Sequence, residues 1–276
     1  MPKIDSHQHF WKFDPIRDTW IPDEMALLRK DFLPDQFAPL LEQNGFDGCV
    51  TVQSEQAEIE NVFQLENAKN NKFIKGIVGW VDFQAKNVGQ KLSYYKEFEK
   101  IKGFRHILQG EAHRDLMLKT EFLRGIEALG EYDYTYDILI YADQVKFTKE
   151  FVAKFPNQKF VIDHLAKPYI KRKEIDGWKK DIQQVAEYEN VSCKISGFLT
   201  EADMKHWKEE DFIPYFDVVV ESFGIDRIMF GSDWPVCLGG ADYNTVVNIM
   251  KKYFLSFTVN EQDKFFGDNA IKFYNL

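Results

Sequence analysis

The chain has 276 residues, 45% apolar and 16% aromatic, and its 44 acidic residues outnumber 35 basic ones for a formal net charge of −9. With 25 Phe, 12 Tyr and 6 Trp it can bury a large core, so intrinsic disorder is excluded. An acidic balance without a basic run argues against nucleic acid and anionic membranes as partners, and no stretch reaches the roughly 18 consecutive apolar residues of a bilayer span.

The N-terminal residues Met1 to Asp5 are too polar for a signal peptide. Cys49, Cys193 and Cys237 are odd in number and far apart, which fits reduced thiols in a cytoplasmic protein. Eight short β-rich runs follow one another along the chain: 3–9, 47–53, 73–82, 101–108, 135–141, 159–165, 191–197 and 227–234. Several are apolar on both faces, as strands buried between a barrel interior and a helical layer are. Helical patterns alternate with them: Asp35 to Asn44, Ala57 to Asn70, Val88 to Lys100, Glu121 to Gly130, Gln144 to Phe155, Glu174 to Tyr188, Phe212 to Phe223 and Tyr243 to Leu255. A last helix from Glu261 to Tyr274, with Asn260 as its N-cap, is expected to close the fold.

Eight strand–helix units in a chain of this length predict a single-domain (β/α)8 TIM barrel over residues 1–276. A doubly wound open sheet is the alternative, but the first strand runs into Phe10-Trp11-Lys12-Phe13 and not into a Gly-rich turn. The long first connection, 10–33, carries Trp11, Trp20, Pro15 and Pro22, is followed by Pro34, and reads as an ordered loop over the barrel mouth.

Barrel enzymes build their sites at the C-terminal ends of the strands. Here those ends carry His7, Gln8 and His9; Gln53; Trp80 and Asp82; Arg105 and His106; Tyr141; Asp163 and His164; Lys194 and Ser196; and Ser232, Asp233 and Trp234. His7 and His9 are two residues apart on a strand and so point to one face. Together with His164 they can bind one divalent, zinc-like metal, with Asp233 as fourth ligand or as the base that activates water. Arg105 and His106 form a candidate donor pair for a developing oxyanion. Serine-hydrolase, P-loop and dinucleotide-binding signatures are absent.

The segments Ile4 to Trp11, Gly103 to His106 with Gln109 and Glu111, Ile162 to Pro168, Lys194 to Gly197, Met229 to Pro235 and Asn269 to Tyr274 resemble the amidohydrolase superfamily. Within it the likeness is to the amidohydrolase-2 group that contains sugar-lactone hydrolases. The resemblance implies a hydrolase that opens a small sugar lactone, with His7, His9, His164 and Asp233 as ligands if a metal is bound. The fifth strand offers Tyr141 where fuller dinuclear sites have a histidine or lysine, so one metal at most is expected, and a metal-independent reaction is open. Asp233 would deprotonate water, with His164 and His106 as further catalytic groups. The oxyanion would fall to a metal, or to protonated imidazoles with Arg105 and His106. Gln8, Gln53, Gln109, Tyr141 and Lys167 would bind hydroxyls, and Trp11, Trp80 and Trp234 would cover the sugar ring. The rival readings are a metal-dependent decarboxylase and a non-catalytic sugar-acid binding protein. Oligomeric state is not legible.

Overall fold

The computed structural model describes residues 1–276. Eight parallel strands stand side by side in chain order, β1 Ile4–Gln8, β2 Gly48–Val52, β3 Ile74–Gly79, β4 Ile101–His106, β5 Thr135–Ile138, β6 Phe160–Ile162, β7 Val191–Ile195 and β8 Ile228–Phe230. Around them run α1 Pro34–Asn44, α2 Glu58–Asn70, α3 Val88–Tyr95, α4 Thr120–Gly130, α5 Val145–Ala153, α6 Asp176–Ala186, the single turn α7 Phe198–Glu201, α8 Ile213–Phe223 and α9 Tyr243–Tyr253. This is the predicted (β/α)8 barrel. None of its helices is long and apolar enough to cross a membrane.

Each predicted strand is present, but β6 and β8 are only three residues long. Their polar ends leave the ladder to make turns at the barrel mouth. The seam between β8 and β1 is closed by a few specific bonds: Ser6 Oγ donates to Phe230 O at 2.6 Å, Ser232 N to Asp5 Oδ1 at 2.9 Å, Asp233 N to His7 O at 2.8 Å and His9 N to Trp234 O at 2.7 Å. Gly231 lies in this seam, where a Cβ would come 2.6 Å from the Cβ of His7. The residues singled out for chemistry are therefore the ones that stitch the barrel shut.

Two helix stops follow their glycine signals, whereas α3 ends at Tyr95, five residues short of the expected Lys100. Gly45 ends α1 in the left-handed region at φ +75°, and Gly224 follows α8 at φ +68°. The last helix departs from expectation. Its N-cap is Thr258 and not Asn260: the Thr258 hydroxyl accepts from Glu261 N while the Glu261 carboxylate accepts from Thr258 N, a reciprocal capping box. The helix is also interrupted, as α10 Val259–Asp263, a π turn Lys264–Asp268 and α11 Asn269–Tyr274.

Two apolar layers result. The larger lies between strands and helices; the smaller fills the barrel, where Val50, Val52, Val78, Val161 and Met229 meet Ala270, Phe273 and Tyr274 of α11. The closing helix thus plugs the N-terminal end of the barrel. At the other end the first loop is pinned by a two-way bridge, Trp11 N to Phe32 O at 3.0 Å and Phe32 N to Trp11 O at 2.9 Å.

Candidate active site

Strand alternation decides which side chains enter the barrel. His7 and His9 point inward, so Gln8 between them points out; its amide donates to Cys49 Sγ at 3.3 Å and does not reach the mouth. The same rule separates the expected donor pair. Arg105 enters the barrel, whereas His106 lies against the edge of Phe122 on α4 and pairs with Glu111 at 2.8 Å.

The inward groups converge. His9 Nδ1–H donates to Val52 O at 2.7 Å, and its Nε2 lies 3.2 Å from His7 Nε2 and 3.3 Å from Asp233 Oδ1. His7 Nε2 and His164 Nε2 each lie 3.9 Å from the same carboxylate oxygen. His7 Nδ1 has two partners, the Asp163 carboxylate at 3.2 Å as acceptor and the Lys194 ammonium at 3.1 Å as donor, and it uses one at a time. Donation to Asp163 frees the Nε2 lone pair; acceptance from Lys194 puts the ring proton on Nε2.

His164 is presented by an unusual backbone. Residues His164, Leu165, Ala166 and Lys167 all have left-handed φ, at 55°, 54°, 57° and 50°, and Asp233 has φ 59°. Each such non-glycine residue costs about 1–2 kcal/mol, and strain of this kind persists only where the surroundings over-determine it. Here Lys167 N donates to His164 O at 2.7 Å and Trp178 Nε1 to Leu165 O at 2.8 Å. Ser196 Oγ holds His164 Nδ1 at 2.9 Å.

Burial sets the charges. Desolvation holds His7 and His164 well below the ordinary imidazole pKa, against the pull of Asp163 and Asp233 respectively, so both rings are neutral near pH 7. Desolvation thus speaks against His7 and His164 as protonated partners of an oxyanion. Burial also opposes ionisation of Asp233, but His164, His9 and Lys167 outweigh it and keep the carboxyl below its usual range. Beneath lies a fully buried network in which Asp163 meets Arg105 and Lys194, each at 3.0 Å.

A cavity of about 430 Å³ opens above this floor. His9, Arg105, His164 and Asp233 form its base, Trp11 an apolar wall, and Tyr141, Gln109 and Lys167 a polar one. Of the other predicted contacts, Gln53 is buried with its amide on Arg105 O, Trp80 is tied through its backbone to Asn61 on α2, and Trp234 stacks on Phe37 in the core at 4.7 Å. None of these three lines the cavity. Trp20, Ser54, Thr200 and Glu201 do, without having been singled out. Glu201 pairs with Lys167 at 3.2 Å, and its position just past the seventh strand was the available signal.

The donor set fits one divalent ion. Tetrahedral coordination at 2.0–2.1 Å separates ligand atoms by about 3.3 Å, close to the His7–His9 and His9–Asp233 spacings. Ligand atoms of His7, His164 and Asp233 also lie within 4.8 Å of one another. The second-layer bonds to Asp163, Val52 O and Ser196 orient the three rings.

A family profile described as Amidohydrolase matches residues 4–276. An L-fucono-1,5-lactonase of Burkholderia multivorans is 33% identical over 99% of this chain and 96% of its own length. An L-rhamnono-gamma-lactonase of Scheffersomyces stipitis is 28% identical over 65% of this chain and 60% of its own. Two crystal structures of an amidohydrolase from Burkholderia multivorans, one with bound HEPES and one with bound zinc, superpose with a TM-score of 0.96 at 33% identity over the whole of both chains.

Proposed function

Because this chain belongs to the amidohydrolase family, we propose that it is a hydrolase of carboxylic esters that opens a sugar-acid lactone, of the L-fucono- or L-rhamnono-lactone kind, to the open-chain aldonate. The observation that carries the reading is the buried Asp233 carboxylate, 3.3 Å from His9 Nε2, at the base of a cavity whose polar wall suits hydroxyl groups. Support also comes from the lactonases among its relatives.

In the proposed reaction Asp233 takes a proton from a water molecule as the water oxygen bonds to the lactone carbonyl carbon. The carbonyl electron pair moves onto oxygen, and the Arg105 guanidinium, buried in the cavity floor with its other nitrogens on Asp163 and Gln53 O, is the fixed cation that faces this charge. Collapse of the tetrahedral intermediate breaks the ring C–O bond, and Asp233 returns its proton to the departing alkoxide. His164 positions Asp233 and stays neutral. Trp11 shields the reacting centre, while Tyr141, Gln109 and Lys167 hold ring hydroxyls. A divalent ion, when bound by His7, His9, His164 and Asp233, would polarise the carbonyl and acidify water.

The test is acid release in a pH-stat over a panel of aldonolactones, with and without chelator. Acid from at least one sugar lactone, lost in Asp233→Asn, is the expected result. Release of CO₂ from an aromatic acid instead would identify a decarboxylase, and ligand-dependent thermal stabilisation without turnover a binding protein; either would overturn the proposal.

A further inference from the structure

Below the cavity floor, three ligand-bearing side chains converge on one point inside the barrel: His7 on β1, Asp137 on β5 and Asp163 at the end of β6. Their ligand atoms lie within 4.8 Å of one another and all are fully buried. The point is occupied by part of the chain. Lys194 on β7 places its ammonium 2.5 Å from Asp137 Oδ2, 3.0 Å from Asp163 Oδ1 and 3.1 Å from His7 Nδ1. The ring of Tyr274 on α11 covers another side, 5.5 Å away, and its hydroxyl donates to Asp137 Oδ2 at 2.8 Å. Two carboxylate oxygens accept from this ammonium, and His7 Nδ1 lies within reach as a third acceptor only in the tautomer whose proton sits on Nε2.

We propose that the Lys194 ammonium is a resident cation, standing where three convergent ligands would otherwise hold a divalent metal ion, so that the barrel accepts an ion only at the upper group of His7, His9, His164 and Asp233. The charge balance agrees. Lys194 and Arg105 offset Asp137 and Asp163, so no carboxylate in the lower group is left to draw an ion in. Carboxylates with one imidazole suit a hard or borderline cation such as Mn²⁺. An ammonium on a covalent stem cannot be lost to dilution or a chelator. Lys194 is thus a positioning residue: it fixes Asp163, and through Asp163 the ring of His7.

The experiment counts metal and does not depend on the lactone reading. Wild type, Lys194→Ala and the charge-neutral pair Lys194→Met/Asp137→Leu are equilibrated with excess Mn²⁺, gel-filtered, and their metal per chain measured. Lys194→Ala should retain one equivalent more than wild type. The double variant keeps every surface carboxylate and should return to the wild-type value. If Lys194→Ala is unfolded without metal, Mn²⁺ should restore its circular-dichroism spectrum. An Mn²⁺ content of Lys194→Ala equal to that of wild type, a double variant that keeps the added ion, a wild type that already holds two, or failure of Mn²⁺ to refold an unfolded Lys194→Ala would each overturn the proposal.

Discussion

Gly197 lies directly against the imidazole of His164: a Cβ built on it would fall 2.5 Å from Nδ1, and its own φ is +60°. Any side chain here must push the ring off Ser196 and adopt a strained backbone. Gly197→Ala should therefore lower kcat/KM by roughly 10²-fold, the scale of a 1 Å misplacement at a reacting centre. Gly177→Ala in α6, where nothing lies within 4 Å, is the matched control and should stabilise by about 0.4–1 kcal/mol. Lactonase kinetics and thermal melts of the two variants check both halves.

Asp233→Asn should fold normally and lose at least ~10²-fold in kcat, as removal of a general base does. The pH profile carries a second expectation. The Asp233 carboxyl titrates below its ordinary 3.8, and His7 and His164 titrate well below 6.5. The acid limb of kcat/KM for chelated wild-type enzyme should then lie below pH 4, with no limb contributed by these groups near 6.5. A profile that falls twofold at pH 6.5 would contradict the neutral state of the two rings.

His106 offers a negative prediction. It faces away from the cavity toward Phe122 and Glu111, so His106→Asn should keep kcat well short of the roughly 100-fold loss that marks an acid–base group. Steady-state rates on any accepted lactone decide it.

Asp5 ties the seam by accepting from His7 N at 3.2 Å and Ser232 N at 2.9 Å, and burial pushes its carboxyl from 3.8 up to about 6. A raised carboxylate pKa means that the folded state holds its proton more tightly, so this group's contribution to stability declines as pH rises from about 4 to 6. Asp5→Asn keeps an acceptor for both amides and removes the charge. Two pKa units correspond to roughly 3 kcal/mol. The Tm of the variant relative to wild type should consequently rise by roughly 5 °C between pH 4 and pH 8, measurable by calorimetry.

Much of this architecture was legible in the sequence, for identifiable reasons. Eight short β-rich runs, several of them apolar on both faces, located the strands, and the rule that barrel chemistry sits at strand ends brought His7, His9, Arg105, His164 and Asp233 to one place. Strand lengths were not legible, because the left-handed turns at His164 and Asp233 end β6 and β8 early. Gln8 and His106 were misplaced because each neighbours an inward residue, and alternation sends it outward. The Thr258-x-x-Glu261 box was present in the sequence and is a stronger start signal than Asn260. Asp137, Asp163 and Lys194 form a network only when β5, β6 and β7 stand side by side, and pattern along one strand does not encode that adjacency.

The hydrogen bond from Tyr274 to Asp137 spans half the chain. A ribosome that has synthesised every strand has still not supplied the hydroxyl that completes the lower network, nor the plug that closes the barrel's far end. Maturation of the site is accordingly a late event in the life of the polypeptide, and activity in a translation time course should trail the appearance of β8.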